Sequence, residues 1–126
     1  MFLDERRRFV RVVCNNVIEF SCYGQNSEQF YNGSSYCGNV SLGGILFFSK
    51  NEIKVGTHLK IKFHLGSFKK SLGTVIMDGK VVRVKKNEHS GRWEIGATLM
   101  PDKNAENNLR FFNWLAEKDE QYFLVE

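Results

Sequence analysis

The chain has 126 residues and a formal charge of +4; 42% of its residues are hydrophobic, including 11 Phe, and it has a single Pro. This length and apolar content predict one globular domain with one core. No run of about 18 uncharged apolar residues occurs, so we expect no insertion into a membrane. The charged N-terminus is not followed by an apolar segment, as a secretory signal would be, and we therefore expect a cytoplasmic protein.

The cysteines and histidines show no ligand spacing. Cys14, Cys22 and Cys37 form no Cys-x-x-Cys pair, and any disulfide scheme leaves one of them unpaired. In a reducing compartment this pattern predicts three separate, semi-buried thiols. The three histidines lie far along the chain and are not spaced as pairs of metal ligands. We therefore expect neither a metal site nor a cofactor.

Alternation of apolar and polar residues dominates positions 10–99 and predicts β-strands. The clearest example is 59–65, where four apolar side chains alternate with three basic or polar ones. A strand with one buried face needs this arrangement. Further strands are predicted at 10–13, 17–22, 45–48, 74–84 and 93–99.

Two segments interrupt this pattern. Residues 24–35 are polar and contain glycine, which predicts a long, mobile loop that either is plain surface or contacts a ligand or partner. Asp78-Gly79 lies inside an apolar run. It fits either a tight hairpin or a bulge in one long strand, and the sequence leaves both interpretations open.

The period becomes helical only near the C-terminus. A helix is predicted over residues 102–118, with an apolar stripe formed by Ala105, Leu109, Phe112 and Leu115 or Ala116. Many strands and one late helix predict an all-β fold, either a small closed antiparallel barrel or a sandwich, with the helix as a cap. The predicted single domain, 1–126, has a flexible arginine-rich leader (1–11), the barrel (12–100), the helix and a tail (119–126).

Four arginines, Arg6, Arg7, Arg8 and Arg11, lie within six residues just before the first predicted strand. An arginine presents five donors in a planar fork and stays charged at physiological pH. Arg7 and Arg11, four residues apart where a loop enters a strand, are spaced to hold one compact anion from two sides. From composition alone, the alternative is a solvated leader paired with neighbouring acidic residues.

A second motif, residues 39–44, lies between two predicted strands. The amide of Asn39 offers a donor and an acceptor side by side, which suits the edge of a purine base. Ser41 adds a short hydroxyl group, while Gly43 and Gly44 permit close approach of the backbone and positive φ. Taken alone, the segment is a β-turn.

Together the two motifs resemble the signature of the PilZ domain family. They are Arg-x-x-x-Arg at Arg7 and Arg11, and Asn-x-Ser-x-x-Gly at Asn39, Ser41 and Gly44. The resemblance extends over residues 5–116 and includes the segments 80–84 and 94–97. The family often has Asp at position 39, where this chain keeps an acceptor but lacks the charge.

The resemblance implies a six-stranded antiparallel, Greek-key-like β-barrel with a C-terminal helix, and a site for cyclic di-GMP on its outer surface. By similarity, Arg7 and Arg11 would hold phosphates and guanine. Asn39 and Ser41 would bind a guanine edge, and Gly44 would keep the turn clear of the ligand.

The predicted function is therefore a receptor that changes conformation on binding cyclic di-GMP and signals to an unidentified partner protein in motility, adhesion or biofilm control. In family members, an arginine immediately before the first signature arginine accompanies an intercalated ligand dimer, so Arg6 favours two ligands per chain. We predict no enzyme, because the sequence shows no Ser-His-acid set, no paired carboxylates beside turn glycines and no Gly-x-x-x-x-Gly-Lys loop.

Two alternatives stay open at this point. The first is an interaction adaptor with the same fold that does not bind nucleotide, although all motif residues are present. The second is a basic β-barrel that binds RNA or single-stranded DNA, for which strongly salt-dependent binding is expected. The clustering of arginine at one place favours a small ligand over a nucleic acid.

Overall fold

The computed structural model describes residues 12–41, 43–66, 71–100, 109–111 and 113–117. A helix, α1, is described at residues 109–111 and 113–117. The strands, in chain order, are β1 (Val12–Val13), β2 (Val17–Tyr23), β3 (Gln29–Tyr36), β4 (Asn39–Val40), β5 (Gly44–Ser49), β6 (His58–Gly66), β7 (Ser71–Lys86) and β8 (Trp93–Met100). The fold is thus mostly β with a short C-terminal helix. In the part of the chain that is described, no helix is both long and apolar enough to cross a membrane.

The strand β6 shows how alternation in the sequence becomes one buried face. Leu59, Ile61 and Phe63 are at most 2% exposed, while Lys60 and Lys62 between them are exposed. A residue step of two returns each side chain to the same face of a strand, so the apolar set enters the core together. The prediction of a half-buried strand here is confirmed.

All eight strands join one antiparallel sheet in the order β1-β4-β5-β8-β7-β6-β2-β3. The sheet is not closed, so the predicted six-stranded closed barrel is wrong in both strand number and closure. Along the edge of β5, strand β4 pairs only with Leu46 and Ile45. Farther along, β3 reaches β5 through a side chain, because Ser35 Oγ accepts the Phe48 N–H at 3.1 Å. A side-chain contact there takes the place of a backbone ladder.

The core nevertheless continues across this gap. The Phe20 ring of β2 lies 4.8 Å from the Phe47 ring of β5 and 5.8 Å from the Tyr31 ring of β3, between ring centroids. Gly33 of β3 lies against the same Phe20 ring, which would stand 2.8 Å from an added Cβ. These rings therefore join β2, β3 and β5 in one aromatic core, although β3 and β5 are not neighbours in the strand order.

The predicted loop over 24–35 is wrong for most of its length. Residues from Gln29 form β3, which pairs with β2 in the hairpin register Ile18↔Ser35 and Phe20↔Gly33. The strand lies at an end of the sheet, and only Ser35 in it is buried. An edge strand with little buried surface needs few apolar residues, so the apolar alternation that reveals a strand was missing.

Asp78-Gly79 is not a hairpin, because β7 runs unbroken through it. Gly79 pairs with Leu59 on one side and Leu99 on the other. The ladder irregularity lies slightly later, between Val81 and Arg83 of β7. The second interpretation of the sequence, a bulge in one long strand, therefore holds with the bulge displaced from the predicted dipeptide.

The helix α1 covers the core with a different face from the one predicted. Phe111 and Trp114 are buried, and their rings lie 5.4 Å and 5.1 Å from the Phe63 ring. Leu109 of the predicted stripe is instead 59% exposed, while Leu115 is buried as predicted. The buried set has helical spacing and includes two aromatic rings, whose burial removes a large apolar area from water. Ala105 and Phe112 lie outside the residues whose side chains are described.

The three cysteines are buried, and two of them are paired. Cys14, between β1 and β2, and Cys37, between β3 and β4, form a disulfide with Cα atoms 5.8 Å apart. Cys22, on the inner face of β2, is free, and burial raises the pKa of its thiol to about 11. The expectation of three separate, semi-buried thiols is therefore wrong, because strand pairing brings together residues that lie 23 positions apart.

Candidate functional site

The described part of the site is the junction of β1, β4 and β5. Val12 and Val13 pair with Val40 and Asn39, and these two residues of β4 pair in turn with Ile45 and Leu46. The register turns Val40 and Ile45 into the core, where both are buried, and leaves Asn39 on the outer face. Asn39 is half-buried there, with its position fixed by strand pairing on both sides.

The turn after β4 is stabilised by Ser41. Its backbone N–H donates to Gly44 O at 2.8 Å, and its Oγ accepts the Gly43 N–H at 3.2 Å. Gly43 O in turn accepts the N–H of Leu99 at 3.1 Å, which ties the turn to β8. Ser41 is only 8% exposed. Its hydroxyl therefore shapes the turn, and its O–H keeps one donor for a further contact.

Gly44 is required for packing of the turn against β8. A Cβ at this position would stand 3.0 Å from the Ala97 carbonyl oxygen, closer than most real contacts of this kind. Its φ is not positive, so the left-handed freedom of glycine is not used here. Because Gly44 has no side chain, β5 can lie close to β8 at this point, and this close approach sets the position of the turn.

On the outer face, the sheet aligns five residues from five strands, which we call the outer row. The outer row consists of Val13, Asn39, Leu46, Gly96 and Arg83, each the register partner of the next. With neighbouring strands about 4.8 Å apart, Asn39 and Arg83 stand roughly 14 Å apart along it. Between Asn39 and Arg83 lie Leu46, which is half-buried, and Gly96, which has no side chain, so this part of the outer row forms a shallow floor between a polar amide and a guanidinium group.

A bulge determines that Arg83 belongs to this row. Val81 faces the core, and strict alternation would turn Arg83 inward as well. The extra residue between them, Val82, is exposed, and Arg83 is exposed beside it. The side chain of Arg83 then lies over Gly96, where an added Cβ would be 3.6 Å from Arg83 Nε. Bulges commonly redirect a side chain in this way.

The electrostatic balance along the outer row is positive. Lys80, three residues before Arg83 in β7, is exposed on the same face and is the register partner of Thr98. The carboxylate of Glu94, on the other side of Gly96, faces Lys85 across the ladder. Arg83 and Lys80 thus place two positive side chains at one edge of the floor, which favours an anionic ligand.

Of the residues predicted from the sequence, the structure brings Asn39, Ser41 and Gly44 together in one turn. Arg6, Arg7 and Arg11 lie outside the described residues. Arg11 directly precedes β1, whose Val13 is the pairing partner of Asn39.

Two residues of the outer row, Arg83 and Gly96, were not identified as site residues from the sequence. The signal for Gly96 was a glycine on an outward strand position between the buried Ile95 and Ala97. Arg83 carried no comparable signal, because its direction depends on the bulge.

A family model described as PilZ domain matches residues 5–113. No curated protein sequence matches the chain. Solved structures are similar at low identity. The inhibitor of motility MotI/DgrA from Bacillus subtilis has a TM-score of 0.68 at 13% identity, covering 93% of this chain and 53% of that one.

Two further structures contain cyclic di-GMP. The MrkH complex from Klebsiella pneumoniae has a TM-score of 0.70 at 15% identity, over 98% of this chain and 56% of that one. The PilZ domain of YcgR from Escherichia coli has a TM-score of 0.60 at 12% identity, over 94% of this chain and 98% of that one. The chain thus spans about half of MotI and MrkH, and at these identities the likeness concerns the fold.

Proposed function

The chain belongs to the PilZ domain family, and from this premise we propose that it is a cyclic di-GMP receptor that signals to a partner protein. The observation that carries the proposal is the outer row. It joins Asn39 of the second motif, through Leu46 and Gly96, to Arg83, whose side chain lies over Gly96. Structural neighbours solved with cyclic di-GMP support the choice of ligand.

In this proposal each motif supplies a different contact. Arg7 and Arg11 bind the phosphates and stack on guanine, because a guanidinium group combines a charged fork with a flat face. Asn39 hydrogen-bonds a guanine edge, and Ser41 adds a donor from the turn. Gly44 fixes the turn by packing against β8, which is a different reason from the clearance for ligand that the resemblance implied.

The expected energies permit such a site. A charge-assisted hydrogen bond contributes about 1.5–3 kcal/mol, and micromolar affinity needs about 8 kcal/mol in total. Two or three arginines, stacking and one base-edge contact supply this amount after the cost of ordering side chains. The proposed role is that of a binding protein, and no step in it breaks or forms a covalent bond in the ligand.

Calorimetric titration with cyclic di-GMP tests the proposal, with GTP and a short single-stranded oligonucleotide as control ligands. Selective binding of cyclic di-GMP is expected. Arg11→Ala should weaken it at least tenfold, because one phosphate contact is removed. Arg92→Ala removes an exposed arginine directly before β8, at the opposite end of that strand from Gly44, and is the matched control that should bind as the wild type does. Wild-type affinity in a folded Arg11→Ala protein would remove the arginine motif from the site.

The stoichiometry of the same titration tests the role of Arg6. We propose that Arg6 supports an intercalated dimer of the ligand, so that two molecules bind per chain. Arg6→Ala should then reduce the stoichiometry from two to one. An unchanged value would reject this role for Arg6.

Arg83→Ala tests the outer row independently of the arginine motif. We expect affinity to fall several-fold, because one positive fork at the edge of the floor is lost. Lys60→Ala, on the outer face of β6 and away from the outer row, is the control for general loss of positive charge. If the two variants lose affinity equally, the effect is one of net charge and Arg83 makes no specific contact.

A folded protein that ignores cyclic di-GMP would instead support the adaptor function, in which the fold binds a partner protein without nucleotide. Salt-dependent binding of the oligonucleotide with no preference for the cyclic dinucleotide would support the nucleic-acid function.

A further inference from the structure

The Cys14–Cys37 pair lies between the two motifs of the proposed site. In the sequence, Cys14 follows Arg11 by three residues, and Cys37 precedes Asn39 by two. The pair therefore connects the segment after the arginine motif with the segment before the asparagine motif. Neither cysteine belongs to a strand; both occupy the links that lead into the β1–β4 junction.

The backbone holds the two cysteines in register independently of their sulfur atoms. The Cys14 N–H donates to Gly38 O at 3.3 Å, and the Cys37 N–H donates to Asn16 O at 2.8 Å. The resulting Cα separation of 5.8 Å is within the range that a disulfide spans without backbone movement. Each residue thus presents its Sγ to the other.

A further anchor keeps the first link in place. The side-chain amide of Asn16 donates to His64 O at 2.8 Å and to Gly66 O at 3.0 Å, both at the end of β6. The link between β1 and β2 is therefore held at two points. Asn16 bonds to the end of β6, and Cys14 bonds to Gly38 in the link between β3 and β4. Because β1 and β4 are only two residues long, these contacts in the links are a substantial part of what joins the two strands.

We propose that Cys14 and Cys37 form a reversible thiol–disulfide site, and that the disulfide tightens the ligand site by tethering the two motif segments. The second part of this inference rests on the proposed function. By joining the links that lead into β1 and β4, the disulfide reduces the freedom that this junction loses when ligand binds, and a lower ordering cost appears as higher affinity. Cys22, buried inside the sheet and without a partner cysteine, takes no part.

A small-molecule disulfide is the oxidant that forms the Cys14–Cys37 bond. The Cys14 thiol loses its proton to solvent, and the thiolate attacks one sulfur of the small disulfide, releasing a small thiolate. The Cys37 thiolate then attacks Cys14 Sγ in the mixed disulfide and expels the second small thiolate. Two electrons pass to the small disulfide, and two protons leave the protein. Cys14 is the entry point because it is 8% exposed and Cys37 only 1%.

The experiment compares the full chain equilibrated with dithiothreitol and with oxidised glutathione. Alkylation after unfolding counts the free thiols, a thermal melt measures stability, and calorimetry measures cyclic di-GMP affinity. In oxidised wild-type protein, free thiols should fall from three to one by an intramolecular bond. The melting temperature should rise by roughly 5–15 °C, since the bond closes a long loop. Cyclic di-GMP should bind about three- to tenfold more tightly, by the ordering cost saved.

Variants separate the pair from other thiol effects. Cys37→Ser cannot close the intramolecular bond, so its melting temperature and affinity should stay at the reduced values under both conditions, and any thiol lost on oxidation should be found as a mixed disulfide of Cys14 with glutathione. Cys22→Ala is the matched control, and its oxidation should raise melting temperature and affinity as in the wild type. Three free thiols in oxidised wild-type protein would overturn the site. A disulfide that forms without changing affinity would overturn the tether. If no cyclic di-GMP binds in either state, the receptor proposal fails, while the thiol count and melting temperature still decide for or against the disulfide.

Discussion

The ladder of β6, β7 and β8 and the junction of β1, β4 and β5 are built in opposite ways. In the ladder, strands of 9, 16 and 8 residues pair over most of their length. In the junction, β1 and β4 contribute two residues each, and turn bonds and a cysteine pair complete the connection. The ladder therefore draws its stability from burial and pairing, while the junction depends on a few specific contacts.

This difference matters because the outer row crosses both regions. Its Gly96 and Arg83 lie on the ladder, and its Val13 and Asn39 lie on the junction. On the proposed function, a ligand that bridges the extensively paired ladder and the sparsely paired junction should change how the junction is ordered. Core changes in the ladder should accordingly affect folding, and changes in the junction should affect binding.

The largest expected effect is the loss of Phe63, the ring of β6 on which α1 packs. Phe63→Ala should lower the free energy of unfolding by about 3–5 kcal/mol, since a fully buried ring is removed and a cavity is left. Urea unfolding measures the loss. Phe30→Ala is the control, because Phe30 of β3 is 62% exposed, and its effect should stay within about 0.5 kcal/mol. Equal losses would mean that the ladder core is not the main source of stability.

A pH effect distinguishes the thiol inside the sheet from the pair at the junction. Burial raises the pKa of Cys22 from 9.0 to about 11. Below pH 9 the thiol is protonated in both folded and unfolded chains and has no effect on the pH dependence. Between pH 9 and 11 the unfolded chain ionises first, so stability should fall, by about 2–3 kcal/mol in total.

Urea unfolding at a series of pH values, compared with Cys22→Ala, measures this contribution. The variant should lack that part of the decline, while the titration of other groups remains common to both proteins. Parallel curves for the two proteins would contradict a raised thiol pKa.

A smaller effect is expected where two strands of the ladder pack closely. A Cβ on Gly79 would meet the Thr98 carbonyl oxygen at 2.7 Å, so Gly79→Ala must displace backbone and should cost about 1–3 kcal/mol. Gly24→Ala is the control, because nothing lies within 3.9 Å of its added Cβ and its φ is not positive. The control should be neutral or slightly stabilising. A harmless Gly79→Ala would show that β7 and β8 separate easily there.

The smallest change in stability, but a clear change in binding, is expected at the junction. A Cβ on Gly44 would stand 3.0 Å from Ala97 O, and moving the turn outward should relieve this contact. Gly44→Ala should cost about 1 kcal/mol of stability. On the proposed function, cyclic di-GMP affinity should fall at least fivefold, because Asn39 and Ser41 move with the turn. Calorimetry and urea unfolding on one preparation compare the two losses, and unchanged affinity would separate this turn from the ligand site.

Much of the ladder followed from local sequence. The alternation in 59–65 predicted β6 because one side of the strand is core and the other is solvent. The same reasoning did not predict the edge strand β3. Gln29–Tyr36 buries little surface, so its sequence had no need of an apolar face. The stripe on α1 was shifted for a related reason, since the position of the helix on the sheet decides which of its rings is covered.

Within the site, sequence alone determined which functional groups are present and their order along the chain: a cluster of arginines, then an amide and a hydroxyl in a glycine-containing turn. Tertiary structure decided the geometry. The bulge at Val82 turned Arg83 outward, where strict alternation would have buried it. Strand pairing placed Cys14 beside Cys37 across 23 positions of sequence. Side-chain type and local period are properties of neighbouring residues, whereas register, bulges and long-range pairs arise only when distant strands pack on a common core.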